Sequence, residues 1–147
     1  MTNPRLDVLI CTFGKEGIRK TSEMSLPRIA GVRYIVSWQT NGSDPNDIPD
    51  SIKREDILVA PTDSIGSSNN RNHAIHVSTA PICLTADDDL AYRADQLQAV
   101  IDTFEKNPDI DLLVRKVHET KGNPFGAYYP ITPEVSRAIY TLALGNL

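Results

Sequence analysis

The chain is poor in the residues that build a disulfide scaffold or a ready-made metal cage. Its 147 residues include two cysteines and three histidines. Cys11 and Cys83 lie inside separate apolar runs, and neither has the CxxC or Cys/His spacing of a zinc or redox motif. That placement predicts buried, reduced thiols in a cytoplasmic protein. Excess positive charge is missing too. A formal charge of −4 argues against a nucleic-acid or anionic-membrane partner and leaves only local basic spots for a phosphorylated small molecule. No apolar run approaches the roughly 18–20 residues that cross a bilayer, so no transmembrane segment is expected. The opening MTNPRLDVLICTF has neither the apolar core nor the cleavage site of a secretory leader. Internal repeats, low-complexity tracts and linkers are absent, and the length suits a single domain over residues 1–147.

What is present is an alternation of strand and helix signals. LDVLICTF (6–13), VRYIVSW (32–38), DILVA (56–60), PICLTA (81–86) and DLLVRKV (111–117) read as strands rich in branched apolar residues. GKEGIRKTSEM after the first strand is a weak helix, undercut by two glycines, and QTNGSDPNDIPDS is a loop dense in turn formers. SSNNRNHAIHVSTA reads as a helix capped by Ser67 or Ser68. The clearest helix is DQLQAVIDTFEKNP: Leu97, Val100, Ile101 and Phe104 keep helical spacing, Asp95 and Gln98 resemble a capping box, and Pro108 marks the stop. TPEVSRAIYTLALG predicts a last helix, with Thr132 as cap, a stripe of Val135, Ala138, Ile139 and Leu142, and a clean boundary at Gly145. The pattern implies an α/β fold, a Rossmann-like, mostly parallel sheet with helices on both faces.

In such sheets ligands bind beyond the carboxyl ends of the strands. PICLTADDDLAY places Asp87, Asp88 and Asp89 at one such end. Three adjacent negative charges repel one another unless a cation, a helix N-terminus or bulk water relieves them. A receiver-type phosphoacceptor or a dehalogenase-like nucleophile needs a carboxylate at the end of the first strand, where this chain has LICTFGK. His73 and His76 show no clear ligand pairing for a two-metal nuclease. A divalent cation held by one or two carboxylates and completed by substrate phosphates fits the pattern and implies a diphosphate-bearing substrate. Charge compensation at a helix N-terminus, worth roughly 0.3–1 kcal/mol per carboxylate, explains the trio equally well.

The stretch DSIGSSNNRNHAIHVSTAPICLTADDDL (63–90) resembles the nucleotide-sugar-binding core of family-2-like glycosyltransferases, which have the A-type glycosyltransferase fold. The matching features are the turn Gly66-Ser67-Ser68, the pair Arg71-Asn72 and a DxD motif within Asp87-Asp88-Asp89, and the likeness runs over roughly residues 6–116. It implies a glycosyltransferase using a nucleoside-diphosphate sugar, an acceptor of unspecified class, and Mn2+ or Mg2+. By the same resemblance Asp89 is a direct metal ligand, Asp87 serves the metal and the ribose or sugar, and Asp88 belongs to either group. Arg71 faces the base or its phosphates, and Thr12 and Phe13 border the base pocket. Ordinary packing accounts for those last two almost as well, and a solvated helix face for Arg71.

The family's acidic residue beyond the second strand is replaced by SWQTNGSD, so Gln39 or Asn41 stands in its place, with Asp44 further along. An amide offers both donor and acceptor to a base edge. The family's acceptor half, with its catalytic carboxylate, has little room between Asp89 and Leu147. Glu119 at the end of the fifth strand is the candidate general base, with Glu134 explained by the helix dipole. The aromatic loop KGNPFGAYYPITP brings Phe125, Tyr128 and Tyr129, which either stack on a sugar or pack the loop. Two other readings stay open. Gly14, Lys15, Gly17, Arg19 and Lys20 after the first strand suit a sugar nucleotidyltransferase, and the short C-terminal part suits a donor-binding remnant without transfer.

Overall fold

The computed structural model describes residues 3–116 and 140–144. The elements run β1 (Leu6–Phe13), α1 (Gly14–Glu23), β2 (Val32–Gln39), a 3-10 turn at Asp50–Ile52, β3 (Ile57–Thr62), α2 (Ser67–Val77), β4 (Ile82–Asp87), α3 (Ala94–Lys106), β5 (Leu112–Lys116) and β6 (Tyr140–Leu144). They form one six-stranded sheet in the order β3-β2-β1-β4-β6-β5. β3, β2, β1 and β4 are parallel, and β6 is antiparallel to both β4 and β5. The chain winds outward from β1 to β3 and then returns to lay β4 on the other side of β1. That reversal creates a crevice beyond the ends of β1 and β4.

The apolar runs read as strands because both sheet faces are covered. Leu6, Val8 and Ile10 of β1 join Tyr34, Val36 and Trp38 of β2 in the larger core, beneath α1 and α3. Leu9 and Ile35 point the other way and pack against Ala74 of α2. At the end of β1 remote from the crevice, Asp7 interrupts the apolar run with a fully buried carboxylate. It accepts bonds from Arg33 at 2.9 and 2.8 Å, Ser78 Oγ at 2.7 Å and the amides of Thr79 and Ala80 at 3.0 Å each. Burial alone would raise its pKa, but these donors outweigh it and hold the carboxyl below the ordinary carboxylate value. Asp7 thereby clamps β1 to the approach of β4.

Several sequence expectations shift. α1 is a regular helix because its glycines lie on the packed face, where Gly14, Gly17, Ile18 and Thr21 are buried. α2 is capped by Gly66 rather than by a serine side chain, since a turn at φ +106° precedes it and the Asn70 amide bonds the Gly66 carbonyl at 3.0 Å. α3 buries Leu97, Val100, Ile101 and Phe104 as the spacing predicts. Its reciprocal end bond falls earlier than Asp95 and Gln98, with Gln96 Oε1 accepting from the Arg93 amide at 3.1 Å. β3 runs on through Pro61, which an edge strand tolerates. The expected last helix is overturned where the structure describes it, because Tyr140–Leu144 is a strand. There the ladder to β5 and β4, together with aromatic and β-branched Tyr140 and Thr141, outweighs a helical stripe that only Leu142 represents within this segment.

Candidate active site

The chain's reversal leaves a cleft of about 420 Å³ at the carboxyl ends of β1 and β4, closed on its far side by the start of α2. Thr12 and Phe13 line it from β1, Gln39 from β2, Gly66 and Ser67 from the α2 turn, Asn70 and Arg71 from α2, Asp87 from the end of β4 and Asp88 from the turn after it. Phe13 and Ile65 put exposed apolar side chains at its rim.

The acidic trio is divided among three environments. Asp87 pairs with Arg71, Nη2 to Oδ1 at 3.0 Å, and both side chains are about half exposed, 45% for Arg71 and 61% for Asp87. Asp88 is half-buried and accepts a bond of 2.6 Å from the hydroxyl of buried Thr12. Asp89 is exposed and does not line the cleft. A guanidinium relieves Asp87 and a hydroxyl relieves Asp88, which lies against the first turn of α1 at Gly17, whereas α3 begins only at Ala94.

Behind the lining lies a set of fixed polar contacts. Asn70 donates through Nδ2 to the Thr12 carbonyl at 2.9 Å and accepts from Ser37 Oγ at 2.5 Å. Because the Ser37 hydrogen goes to Asn70, His73 donates through Nδ1 to Ser37 Oγ at 2.8 Å. Gln39 gives its Nε2 to the Gly66 carbonyl at 3.0 Å, so this amide holds the α2 turn in place. Trp38 Nε1 donates to the Gly14 carbonyl at 2.9 Å, and Gly14 has φ +64°, the turn that launches α1 directly from β1. Tyr92, just past the trio, buries a hydroxyl that has no hydrogen-bond partner among the described residues, and burial pushes its pKa up. Cys11 also lines the cleft as a free, half-buried thiol, its pKa pushed up to about 11 by burial; Arg71 opposes the rise, and Asp87 and Asp88 add to it. Cys83 is likewise free and half-buried, and burial raises it too.

Of the residues singled out in the sequence, Thr12, Phe13, Gln39, Arg71, Asp87 and Asp88 converge on the cleft. Asn41 is exposed at φ +48° and lies outside the lining, and Asp44 caps its own turn by accepting from the Asn46 amide at 2.9 Å. Asn72 of the Arg-Asn pair is exposed, and the asparagine that faces the cleft is its neighbour Asn70. The signal for Asn70 was its spacing from Ala74, which marks the buried edge of α2. Glu119, Glu134, Phe125, Tyr128 and Tyr129 lie outside the described residues.

Among the described residues no three His, Cys, Asp or Glu side chains form a group that could hold a metal by themselves. Asp87 and Asp88 at the cleft match the different habit of Mg2+ and Mn2+, which take one or two carboxylates and complete their shell with water and phosphate oxygens. No helix among the described residues is long and apolar enough to cross a membrane.

The family model described as glycosyl transferase family 2 matches residues 43–144, more than half of the chain. The fold is similar to that of S. aureus TarS 1–349, with a TM-score of 0.65 and 15% identity over 96% of this chain and 47% of that one. The same TarS fragment in complex with UDP matches with a TM-score of 0.60 and 13% identity over 86% of this chain and 38% of that one. CMP:2-keto-3-deoxy-manno-octonic acid synthetase complexed with CTP matches with a TM-score of 0.53 and 15% identity, over 96% of this chain and 74% of that one. The chain thus spans about half the length of the TarS 1–349 structure. No curated protein matches it in sequence.

Proposed function

Since the chain belongs to glycosyl transferase family 2, we propose that its cleft holds a nucleoside-diphosphate sugar and serves transfer of that sugar to an acceptor. The observation that carries this reading is the placement of Arg71, Asp87 and Asp88 together at the reversal point between β1 and β4. There a guanidinium supplies the planar, always-charged donor suited to phosphate oxygens. The neighbouring carboxylates supply the anionic pole that a divalent cation needs. Mn2+ or Mg2+ bound there would neutralise charge on the leaving nucleoside diphosphate.

Each residue then has a proposed task. Asp87 and Asp88, the two carboxylates that line the cleft, hold the cation, while Asp89, the ligand implied by the resemblance, is exposed outside it. Arg71 binds the phosphates, and Phe13 gives the base an apolar wall. Gln39 shapes the base end of the cleft through the Gly66 turn, with Asn41 at its margin. Glu119 is the proposed general base on the acceptor hydroxyl. The TarS structures with UDP and UDP-GlcNAc make uridine nucleotides the first to try.

Calorimetry of UDP- and GDP-sugars, with and without Mn2+, tests the donor site. Metal-dependent binding of one donor is expected, and failure of every donor in both conditions removes the reading. Glu119→Gln is expected to keep donor affinity and abolish transfer. The likeness to a CTP-bound synthetase favours one second reading, nucleotidyl transfer. Against it, Gly14, Lys15, Gly17, Arg19 and Lys20 belong to α1, none of them lines the cleft, and Arg19 is engaged by Glu16 and Glu23. Pyrophosphate release from a nucleoside triphosphate and a sugar phosphate would decide for it. Donor binding without transfer to any acceptor would mark a binding remnant.

A further inference from the structure

Thr12 sits where a residue contacting the donor base is expected, yet its hydroxyl points elsewhere. It is 97% buried, and its only hydrogen is given to Asp88 Oδ2 at 2.6 Å. A hydroxyl has one proton to donate, so the Thr12 side chain has none left for a ligand while this bond stands. Its carbonyl is held from the other side by Asn70 Nδ2 at 2.9 Å. The backbone and side chain of Thr12 are thus both committed within the protein.

A second observation bears on the same bond from an independent direction. Gly17 lies on the buried face of α1, directly over it. A Cβ placed on Gly17 would stand 2.2 Å from Thr12 Oγ1 and 3.3 Å from Asp88 Oδ2. No real Cβ sits that close to an oxygen, so any side chain at position 17 must drive the Thr12 hydroxyl off its present rotamer. Gly17 follows helical geometry, and its cost to α1, about 1 kcal/mol relative to alanine, is offset only if the space above Thr12 matters.

We infer that Thr12 is a positioning residue that aims the Asp88 carboxylate into the donor cleft, and that Gly17 is a glycine because it must leave room for that bond. This rests on the donor-site reading for its functional consequence, but its geometric part does not. Held by Thr12, Asp88 presents its other oxygen in one orientation. Without that hold it is a half-exposed carboxylate with freedom to turn to solvent or toward Arg71.

The experiment uses Thr12→Val, Thr12→Ser, Gly17→Ala and Asp88→Asn, and each of the first three substitutions again in the Asp88→Asn background. Mn2+ binding is read by electron paramagnetic resonance, UDP binding in the presence of Mn2+ by calorimetry, and crystal structures are determined for Thr12→Val and Gly17→Ala. Thr12→Val and Gly17→Ala are expected to weaken UDP–Mn2+ binding about tenfold, the scale of one hydrogen bond to a charged group. Thr12→Ser, which keeps the hydroxyl, is expected to stay within about twofold of the wild type. In the Asp88→Asn background, Thr12→Val and Gly17→Ala are expected to add less than about twofold, because their effect passes through Asp88. A purely structural role for Thr12 would instead cost the same in both backgrounds.

Equal losses in the two backgrounds, or a Thr12→Ser variant as poor as Thr12→Val, would overturn the inference. If Thr12→Val does not fold, Gly17→Ala carries the same comparison. If the wild type binds neither Mn2+ nor UDP, the donor reading fails, and the two crystal structures still decide the geometric part. A displaced Asp88 carboxylate supports it, and one that keeps its place in both variants refutes it.

Discussion

Replacing Arg71 by alanine should move two affinities in opposite directions. In the proposed site, without nucleotide, Arg71 and the divalent cation compete for Asp87, because the guanidinium already lies 3.0 Å from its Oδ1. A singly charged group and a divalent ion sharing that carboxylate stand about 5 Å apart and repel by about 1.7 kcal/mol in water. Salt screening at ordinary ionic strength brings this to about 1 kcal/mol. The Arg71–Asp87 pair, with both partners about half exposed, adds no more than about 1 kcal/mol of its own attraction. Arg71→Ala should therefore bind Mn2+ alone about five- to thirtyfold more tightly. With nucleotide present the same change removes a charge-assisted bond to phosphate, worth about 1.5–3 kcal/mol, and weakens UDP–Mn2+ binding about ten- to a hundredfold. Paramagnetic titration of Mn2+ and calorimetry of UDP read the two quantities separately. An Arg71→Ala protein that binds Mn2+ no more tightly than the wild type, or that keeps its nucleotide affinity, would refute the reasoning.

Asp7→Asn should cost about 3 kcal/mol at pH 7 in urea unfolding, the lower end for breaking a buried pair, since Arg33 keeps some contact with water. Because the native Asp7 carboxyl lies below its ordinary value, its stabilisation is present above the unfolded-state pKa and lost as pH falls through the native one. The gap between wild type and Asp7→Asn should therefore shrink in strong acid, and a gap constant from pH 7 to pH 2 would contradict the assignment. Asn70→Ala should lower stability by about 1–3 kcal/mol, as it strands the buried Ser37 hydroxyl and the Thr12 carbonyl. Thermal unfolding checks it, and an unchanged midpoint would count against the network. Cys11 should react slowly with thiol reagents at pH 8 and faster as pH rises toward 11, and a rate already level by pH 9 would argue against the burial that raises it.

The strands were legible because their apolar runs are long and their sheet is covered on both sides: β1 and β4 fall within a residue of where the sequence puts them. The periodic stripe of α3 was equally plain. The helix ends were not, because capping depends on backbone angles. Gly66 at φ +106° and the Gln96–Arg93 bond replace the Ser and Asp–Gln patterns that the letters suggest. Tyr140–Leu144 was misread because a strand added to a sheet from far along the chain owes its state to its neighbours more than to its own spacing. At the site, the acidic run at the end of β4 pointed to Asp87 and Asp88, and the family resemblance pointed to Thr12 and Arg71. Contacts between elements that the sequence separates did not show in it. Gly17 and Asn70 belong to that class, and so does the direction in which Thr12 spends its proton.

The antiparallel strand wedged beside β4 has a consequence for how the protein is made. β4 carries Asp87, and its neighbour on one side is β1, long since synthesised, while on the other it is β6, which pairs through Leu144 and Ala143. During translation the acidic strand is consequently a bare sheet margin until the last described segment leaves the ribosome. The half of the sheet that carries the cleft can assemble early, but its bracing arrives only with residues 140–144, so a nascent chain stalled short of residue 140 would display a strand margin open to wrong partners.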